Sequence, residues 1–528
     1  MKNKWLFYAT AFFSGLSVMA IELGASRLMA PYFSSSQIVW TIIIGTIMIA
    51  MAIGNVLGGK IADKYNNPDR LFGWLFGAAT WTMLIPLVGK FIIAGVALVL
   101  AMFVTTNYLI VAAFVSCILV FVFPLLVLGM VTPNLVKYAT SSLEESGSVA
   151  GRIEACGTIG SIIGTFLPTF VTIPNIGTAL TFVLFASILY IVCIVYWILK
   201  KKKFVGKGVV IAVALVAGIL SNNIGVAFWE TDILYEGESI YNYLRVEEDE
   251  DSIYLSTNVL FGVQSVKMKT SGLTGMYYDY ALAAPIMAGA ADNEDVSVLI
   301  LGLGTGTFAT QCEEYFGITD IDGVEIDQKI IDLAYEYFDL SDCVTTYTQD
   351  GRAYINLTDK TYDVIMVDAY QDITIPFQMS SVEFFTKVSE HLNDGGVMVV
   401  NMNMYSTSEE DSINDYLCGT IKSVFDSVYT VETTSSNLVL FASDSYDCCE
   451  QLEGELDSLD GTVGTFMTRV YNRMTEIEAS DLILTDDKAP VELLGMRVLD
   501  EMISSELEYL KRMMSSMSIS ELYQYLIA

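Results

Sequence analysis

The sequence predicts a chain in two parts: an α-helical multi-pass membrane region, then an α/β doubly wound domain of Rossmann-like type with a small β-rich subdomain at its start. Three observations predict it. Apolar runs long enough to cross a bilayer crowd the chain up to about residue 225, where charge is sparse. After that point Asp and Glu become frequent, and short apolar strands alternate with helical patterns. One such strand, Val296–Leu301, runs directly into Gly302-Leu303-Gly304-Thr305-Gly306. The expected boundaries are 1–227 for about seven membrane helices, 228–285 for the β-rich subdomain and 286–528 for the Rossmann-like domain.

Composition narrows the function. The 528 residues are 53% hydrophobic, and the mean hydropathy of +0.50 is too apolar for a soluble enzyme of this length. A net charge of −33 argues against nucleic acid as a partner, because phosphate binding needs a Lys/Arg surface. An acidic surface attracts cations, polyamines included, or simply keeps the polar half solvated. The eight cysteines form neither a disulfide framework nor the paired spacing of a zinc site, so no metal is expected. Met1–Lys4 leads into a long apolar run without a small-residue cleavage site, which reads as a first span rather than a cleaved leader.

Spans are expected near 5–30, 38–60, 70–89, 108–135, 153–173, 177–199 and 208–225, with the apolar stretch 90–106 extending a neighbour, lying re-entrant or forming an eighth. Lys2 and Lys4, then Lys60, Lys64 and Arg70, then Lys137 and Arg152, then Lys200–Lys203 and Lys207 occupy alternate loops. That alternation puts the N-terminus inside a cell membrane. Seven spans then favour an external C-terminal half, whereas the supply of nucleotide cofactors favours the cytoplasm; the side stays open. Glu22 is a carboxylate inside the first span, with Arg27 as a candidate partner. Gly160 and Gly164 have the spacing of a close helix contact.

In the polar half, Thr307–Phe316 reads as the helix after the glycine loop. Strand Asp320–Val324 ends on Glu325, helical spacing covers Gln328–Phe338, and Asp350 follows a short strand near Val344–Thr348. Strand Tyr362–Val367 ends on Asp368, helix Val382–Leu392 follows, and Gly395-Gly396 turns into strand Val397–Asn401. Repeated βα units of this kind make a right-handed parallel sheet. Glycines after the first strand allow close approach of a ligand, and an acidic residue ending the second can accept ribose hydroxyls. Gly302, Gly304, Gly306 and Glu325 are therefore candidate nucleoside ligands, with helix capping as the alternative for the carboxylates. His391, late in its helix, reads as a helix-end residue.

At these residues the polar half resembles spermidine synthases and other aminopropyltransferases, which share the class I S-adenosylmethionine-binding fold. The whole chain looks like bacterial proteins that fuse such a domain to a membrane region. Tyr241-Asn242-Tyr243 and Leu260–Gln264 are similar to the family's small N-terminal β-domain. Tyr278-Asp279-Tyr280 falls where the family carries Tyr-His-Glu, Asp350-Gly351 resembles its adenine-side Asp-Gly, and Asp368 lies where its Asp-Ser-Ser-Asp loop begins. Gly151-Arg152, Gly160 and Gly164 resemble a helix of the fused proteins, and Thr485-Asp486-Asp487 resembles another of their motifs. Departures are equally specific. Thr305 replaces the glycine-loop Asp, Asp279 replaces the triplet's His, and Asp372 comes four residues after Asp368 rather than three.

The resemblance implies transfer of an aminopropyl group from decarboxylated S-adenosylmethionine to an amine. It implies catalytic roles for Asp368 and Tyr278. Gly302, Gly304, Gly306, Glu325, Asp350 and Gly351 would bind the donor, and Gln264, Asp279 and Asp372 the amine. Two alternatives remain. One is a methyltransferase using S-adenosylmethionine and another acceptor. The other is a transporter or membrane sensor with a nucleoside- or polyamine-binding domain, since Gly54–Lys60 and Asp63-Lys64 resemble a loop of major-facilitator transporters; a complete carrier of that kind would need a homodimer.

Overall fold

The computed structural model describes residues 4–259, 263–290, 293, 295–369, 375–402, 411–433, 437–459 and 461–516. The chain divides into two compact units, Met1–Glu230 with Glu506–Ala528, and Thr231–Ser505.

The first unit is built from α1 (Lys4–Phe33), α2 (Gln37–Lys64), α3 (Pro68–Phe103), α4 (Tyr108–Gly129), α5 (Val131–Ala139), α6 (Ser146–Leu167), α7 (Ile173–Leu199) and α8 (Val205–Leu220). Caps set the starts: Ser36 accepts from the Val39 amide, and Asn67 caps α3, whose first residue is Pro68. The apolar stretch 90–106 is absorbed into α3 as far as Phe103 and adds no separate span. Among the described residues six helices are long and apolar enough to cross a membrane. The expected number was about seven, and the difference has a physical origin. The longest candidate, Ser146–Leu199, contains both expected spans 153–173 and 177–199. A π-helical turn at Pro168–Thr172 and a non-helical Gly177 with φ 78° interrupt it. The Thr181 hydroxyl donates to that of Thr172 at 3.0 Å, although nine helical residues would separate them by about 13 Å. The chain therefore turns back there, and α6 and α7 are two arms.

Small residues let the helices touch through their backbones. A Cβ on Gly160 would lie 1.9 Å from the Phe12 carbonyl oxygen, and one on Gly164 would lie 2.2 Å from that of Leu16. Gly54 meets the Leu126 carbonyl of α4 in the same way, at 2.2 Å. Outward positions stay apolar: Ile44, Met48, Ile162, Phe166, Val209 and Val213 are all exposed. The cationic loops gather at one end, where Lys4 pairs with Glu145 at 3.5 Å, Lys137 with Asp63 at 3.1 Å, and Lys202 with Asp69. At the opposite end Tyr32 donates to the Val226 carbonyl at 3.0 Å, and Lys90 to that of Ile224.

The second unit opens with a four-stranded antiparallel sheet in sequential order: β1 (Ile233–Glu238), β2 (Tyr243–Glu248), β3 (Ser252–Ser256) and β4 (Ser265–Met268). Short helices α9 (Tyr277–Ala281) and α10 (Ala283–Met287) follow. The main sheet then takes β5 (Ser297–Leu301), α11 (Thr307–Phe316), β6 (Asp320–Glu325), α12 (Gln328–Tyr337), β7 (Val344–Thr348), α13 (Gly351–Leu357), β8 (Tyr362–Val367), α14 (Val382–Glu390) and β9 (Leu392–Met402). It closes with α15 (Ile413–Lys422), β10 (Ser427–Glu432), β11 (Leu438–Ser443), α16 (Cys448–Glu455), α17 (Gly461–Tyr471), β12 (Thr475–Glu476) and α18 (Val491–Ser516), of which the part from Glu506 onward belongs to the first unit.

Strand order is β12-β10-β11-β9-β8-β5-β6-β7, with β5 to β9 parallel and the other three antiparallel. Every residue of β5 is buried, as a strand covered on both faces requires. One face packs on Ile286, Phe308 and Cys312, the other on Ile355, Phe384 and Phe385. The order reverses between β5 and β8, and the crevice at their carboxyl ends is where open α/β sheets bind ligands.

Gly160→Val should destabilise the helical unit by about 3 kcal/mol, because the clash is with backbone. Gly151→Val, where a Cβ meets nothing within 4 Å, is the control. Thermal unfolding of the solubilised chain checks it: a lowered melting temperature for the first variant only is expected.

Candidate active site at the carboxyl ends of the parallel strands

The site is built on the turn that leaves β5. Gly302 has φ 96°, and a Cβ there would sit 2.4 Å from the carbonyl oxygen of Asp368. Glycine alone lets the two strand ends come this close. The Asp368 amide donates to the Leu301 carbonyl at 2.9 Å, and Gly302 N–H to that of Val324 at 2.9 Å, so three strand ends are tied at one level. Beside them, β4 is laced to the loop. Thr305 N–H donates to Ser265 Oγ at 3.1 Å, and Thr307 Oγ1 donates to the Val266 carbonyl at 2.8 Å. The Thr305 hydroxyl is 2% exposed and has no partner among the described residues.

Glu325 ends β6 and is 8% exposed. Its Oε2 accepts from Gly304 N–H at 3.0 Å and its Oε1 from Asp327 N–H at 3.1 Å. Burial nevertheless pushes this carboxyl up to about 7. Asp327 in turn accepts from Ser239 and Asn242 in the turn between β1 and β2, which joins the small sheet to the end of β6.

Asp368 ends β8 and is half-buried. Tyr277 donates its hydroxyl to Oδ2 at 2.5 Å, and Asn401, the penultimate residue of β9, donates its side-chain amide to Oδ1 at 2.8 Å. Asn437 holds Asn401 in turn, at 3.0 Å. Burial pushes Asp368 up to about 7, the nearby Glu325 charge adds to it, and the two hydrogen bonds oppose the rise. Burial raises both Tyr277 and Tyr278 above the ordinary phenol range, so each is a hydrogen-bond donor rather than a phenolate near neutrality.

Tyr277, not Tyr278, is the tyrosine that reaches Asp368. The Tyr278 hydroxyl donates to the Gln264 main-chain carbonyl at 2.7 Å, with its ring centroid 4.0 Å from that of Tyr277. A helix sends neighbouring side chains about 100° apart, so only one of the two tyrosines is aimed at Asp368. Asp279, expected to meet the amine, is 1% exposed and already accepts four hydrogen bonds from the protein. They come from Thr274 N–H and Oγ1 at 2.9 and 2.8 Å, Gly275 N–H at 2.7 Å and Gln311 Nε2 at 2.7 Å. It fixes the turn that presents Tyr277.

Asp350 caps α13 through Oδ1, accepting from Ala353 N–H at 2.8 Å, and Gly351 packs on Met379. Gln264 joins the site through its backbone, its amide donating to the Leu255 carbonyl at 2.8 Å. Asp372 and residues 260–262 lie outside the described residues. Among the described residues no group of three His, Cys, Asp or Glu is placed to hold a metal ion. His391 lies at the end of α14, its ring nitrogens 2.7 and 3.1 Å from the Lys387 and Thr358 carbonyls.

Tyr277 and Asn401 were missed in the sequence. A signal existed for Asn401: it closes the strand Val397–Asn401 just as Glu325 and Asp368 close theirs.

Residues 283–451 match the family described as the spermine/spermidine synthase domain. The chain is 49% identical over 332 residues to a Bifidobacterium longum protein described as a probable polyamine aminopropyl transferase, covering 59% of this chain and 73% of that one. It is 28% identical over 282 residues to the polyamine aminopropyltransferase of Vibrio vulnificus, covering 50% and 92%. Among solved structures, spermidine synthase from Thermotoga maritima is 17% identical with a TM-score of 0.36, covering 46% of this chain and 83% of that one.

The raised carboxyls make stability depend on pH. Their folded values lie above the ordinary 3.8 and 4.5, so their contribution is fully present below about pH 4 and is lost as pH rises through 7. Asp368→Asn should therefore stabilise the fold at pH 8, by on the order of 3 kcal/mol, and hardly at all near pH 4. Chemical denaturation at the two pH values checks the difference.

Proposed function

Because this chain belongs to the spermine/spermidine synthase family of polyamine aminopropyltransferases, we propose that it moves an aminopropyl group from decarboxylated S-adenosylmethionine to an amine at the Gly302–Asp368 crevice. The observation that carries this reading is the Asp368 carboxylate, held on both oxygens by Tyr277 and Asn401 against the glycine loop.

Both substrates are cationic, and the crevice suits them. In the free protein burial holds Glu325 and Asp368 near neutral pH, the Asp327 charge adding to the rise of Glu325 and the Glu325 charge to that of Asp368. A sulfonium bound between them favours both anions. Asp368 is then a base at the moment the amine needs one, since an amine attacks only when neutral. The amine nitrogen forms a bond to the carbon beside sulfur, the carbon–sulfur bond breaks with its electron pair going to sulfur, and the proton passes to Asp368. The glycine loop and Glu325 hold the nucleoside part of the donor, with Asp350 and Gly351 on the adenine side. Among the described residues only Oδ1 of Asp350 serves as the cap, which leaves its second carboxylate oxygen for that task. Asp372 remains the candidate partner of the amine's distal ammonium. Tyr277 holds the base, the tilted ring of Tyr278 packs against that of Tyr277, and Asp279 fixes the turn under both.

The helical unit is proposed as a bilayer anchor, its cationic end on the cytoplasmic side. A cysteine at Ser142, at that end, should label only from the cytoplasm, and one at Asn222 only from outside. Labelling of both from one side would contradict this topology.

For the chemistry, Asp368→Asn should lower turnover by about 10³-fold, with a loss of donor affinity far too small to account for it. Tyr277→Phe should cost more than Tyr278→Phe. Steady-state kinetics with calorimetric donor titration checks both; an active Asp368→Asn enzyme would overturn the assignment.

A further inference from the structure

Three segments that are remote in sequence meet beside the crevice. Arg352, the second residue of α13, directs Nη1 and Nη2 to the two carboxylate oxygens of Asp486, each at 2.6 Å. The same Nη1 donates to the Gln378 carbonyl at 2.8 Å. Ser381, the N-cap of α14, donates to Asp486 Oδ1 at 2.6 Å, and Asp486 N–H donates to Glu383 at 3.0 Å. Val382 N–H donates to the Leu484 carbonyl at 2.9 Å, and Thr485 and Lys488 close a tight turn around Asp486.

Each partner has a place in the site. Arg352 follows Asp350-Gly351, on the donor side. Residues 375–381 follow Asp368 in the chain and lead into α14, on the acceptor side. Met379 within that end is 2% exposed and packs against Gly351. A bidentate guanidinium–carboxylate pair fixes direction as well as distance, so the segment around Asp486 sets the gap between the two sides.

Resting on the proposed reaction, we propose that Arg352 and Asp486 are positioning residues that hold the donor-side helix and the acceptor-side loop in register. Neither touches the reacting atoms. Among the described residues the side-chain partners of the Asp368 carboxylate, Tyr277 and Asn401, lie elsewhere, so the pair acts on binding geometry and not on the base. The signature is specific: loss of either partner weakens both substrates together, whereas a residue that contacted one substrate would weaken that one alone.

The test uses the full-length protein with Arg352→Ala, Asp486→Ala, the double variant and Arg352→Lys. Each single alanine variant is expected to raise KM for donor and for amine by about tenfold. The kcat and its pH profile should stay close to wild type, the double variant should be no worse than the singles, and Arg352→Lys should recover part of the loss. Calorimetric binding of methylthioadenosine gives a second reading that needs no turnover. If the wild type transfers no aminopropyl group, the proposed reaction fails, and the same non-additive loss of methylthioadenosine affinity still supports the positioning role. Lower melting temperatures with both KM values and methylthioadenosine affinity unchanged, or strictly additive effects, would overturn it.

Discussion

The passage of Gly302 against the carbonyl of Asp368 fixes the geometry of the whole site. Because no side chain fits in that gap, the turn leaving β5 and the end of β8 share one wall of the crevice. Glu325 reaches the same wall from β6 and bonds to Gly304 N–H. Two carboxylates are thereby held in a poorly solvated cleft, and each is driven toward neutrality. This arrangement costs stability when both are ionised and is relieved by a cation. A site for a sulfonium and an amine is a site where that relief becomes binding energy. The aromatic pair Tyr277–Tyr278, the amide chain Asn437–Asn401 and the Asp279 turn all serve to keep Asp368 in one orientation.

As the bilayer anchor proposed for it, the helical unit obeys a different constraint. Apolar surface is not driven together in a medium that is itself apolar, so helix contacts rest on close packing of small residues. Gly54, Gly160 and Gly164 meet carbonyl oxygens of neighbouring helices, while Ile, Val and Phe fill the outward faces. Apart from Glu22 and Arg27 within α1, charge gathers toward the ends, with the cationic loops drawn together by pairs such as Lys137–Asp63.

Much of the site was legible because strand ends are legible. A buried apolar run followed by glycine or a carboxylate marks the top of a parallel sheet, and Gly302, Glu325, Asp350 and Asp368 all sit at such positions. What escaped depends on rotation and on distant contacts. Tyr277 and Tyr278 are equivalent in composition and differ only in the helical angle that aims one of them at Asp368. Asp279 reads as an available carboxylate until its four donors are seen. The reversal between α6 and α7 was expected from hydropathy at residues 173–177, but a hydropathy pattern does not reveal that a π-turn and Gly177 carry it. Asp486 could be singled out as a motif, yet its partner Arg352 lies 134 residues away, and no local pattern joins them.

The central claim concerns the bond that is made. The most direct measurement incubates the purified full chain with decarboxylated S-adenosylmethionine and a panel of linear diamines and triamines, and identifies the products by mass spectrometry. The account predicts an amine lengthened by one aminopropyl group together with an equal amount of methylthioadenosine. Absence of both products with every amine, or methylation of an acceptor when S-adenosylmethionine is supplied instead, would contradict it.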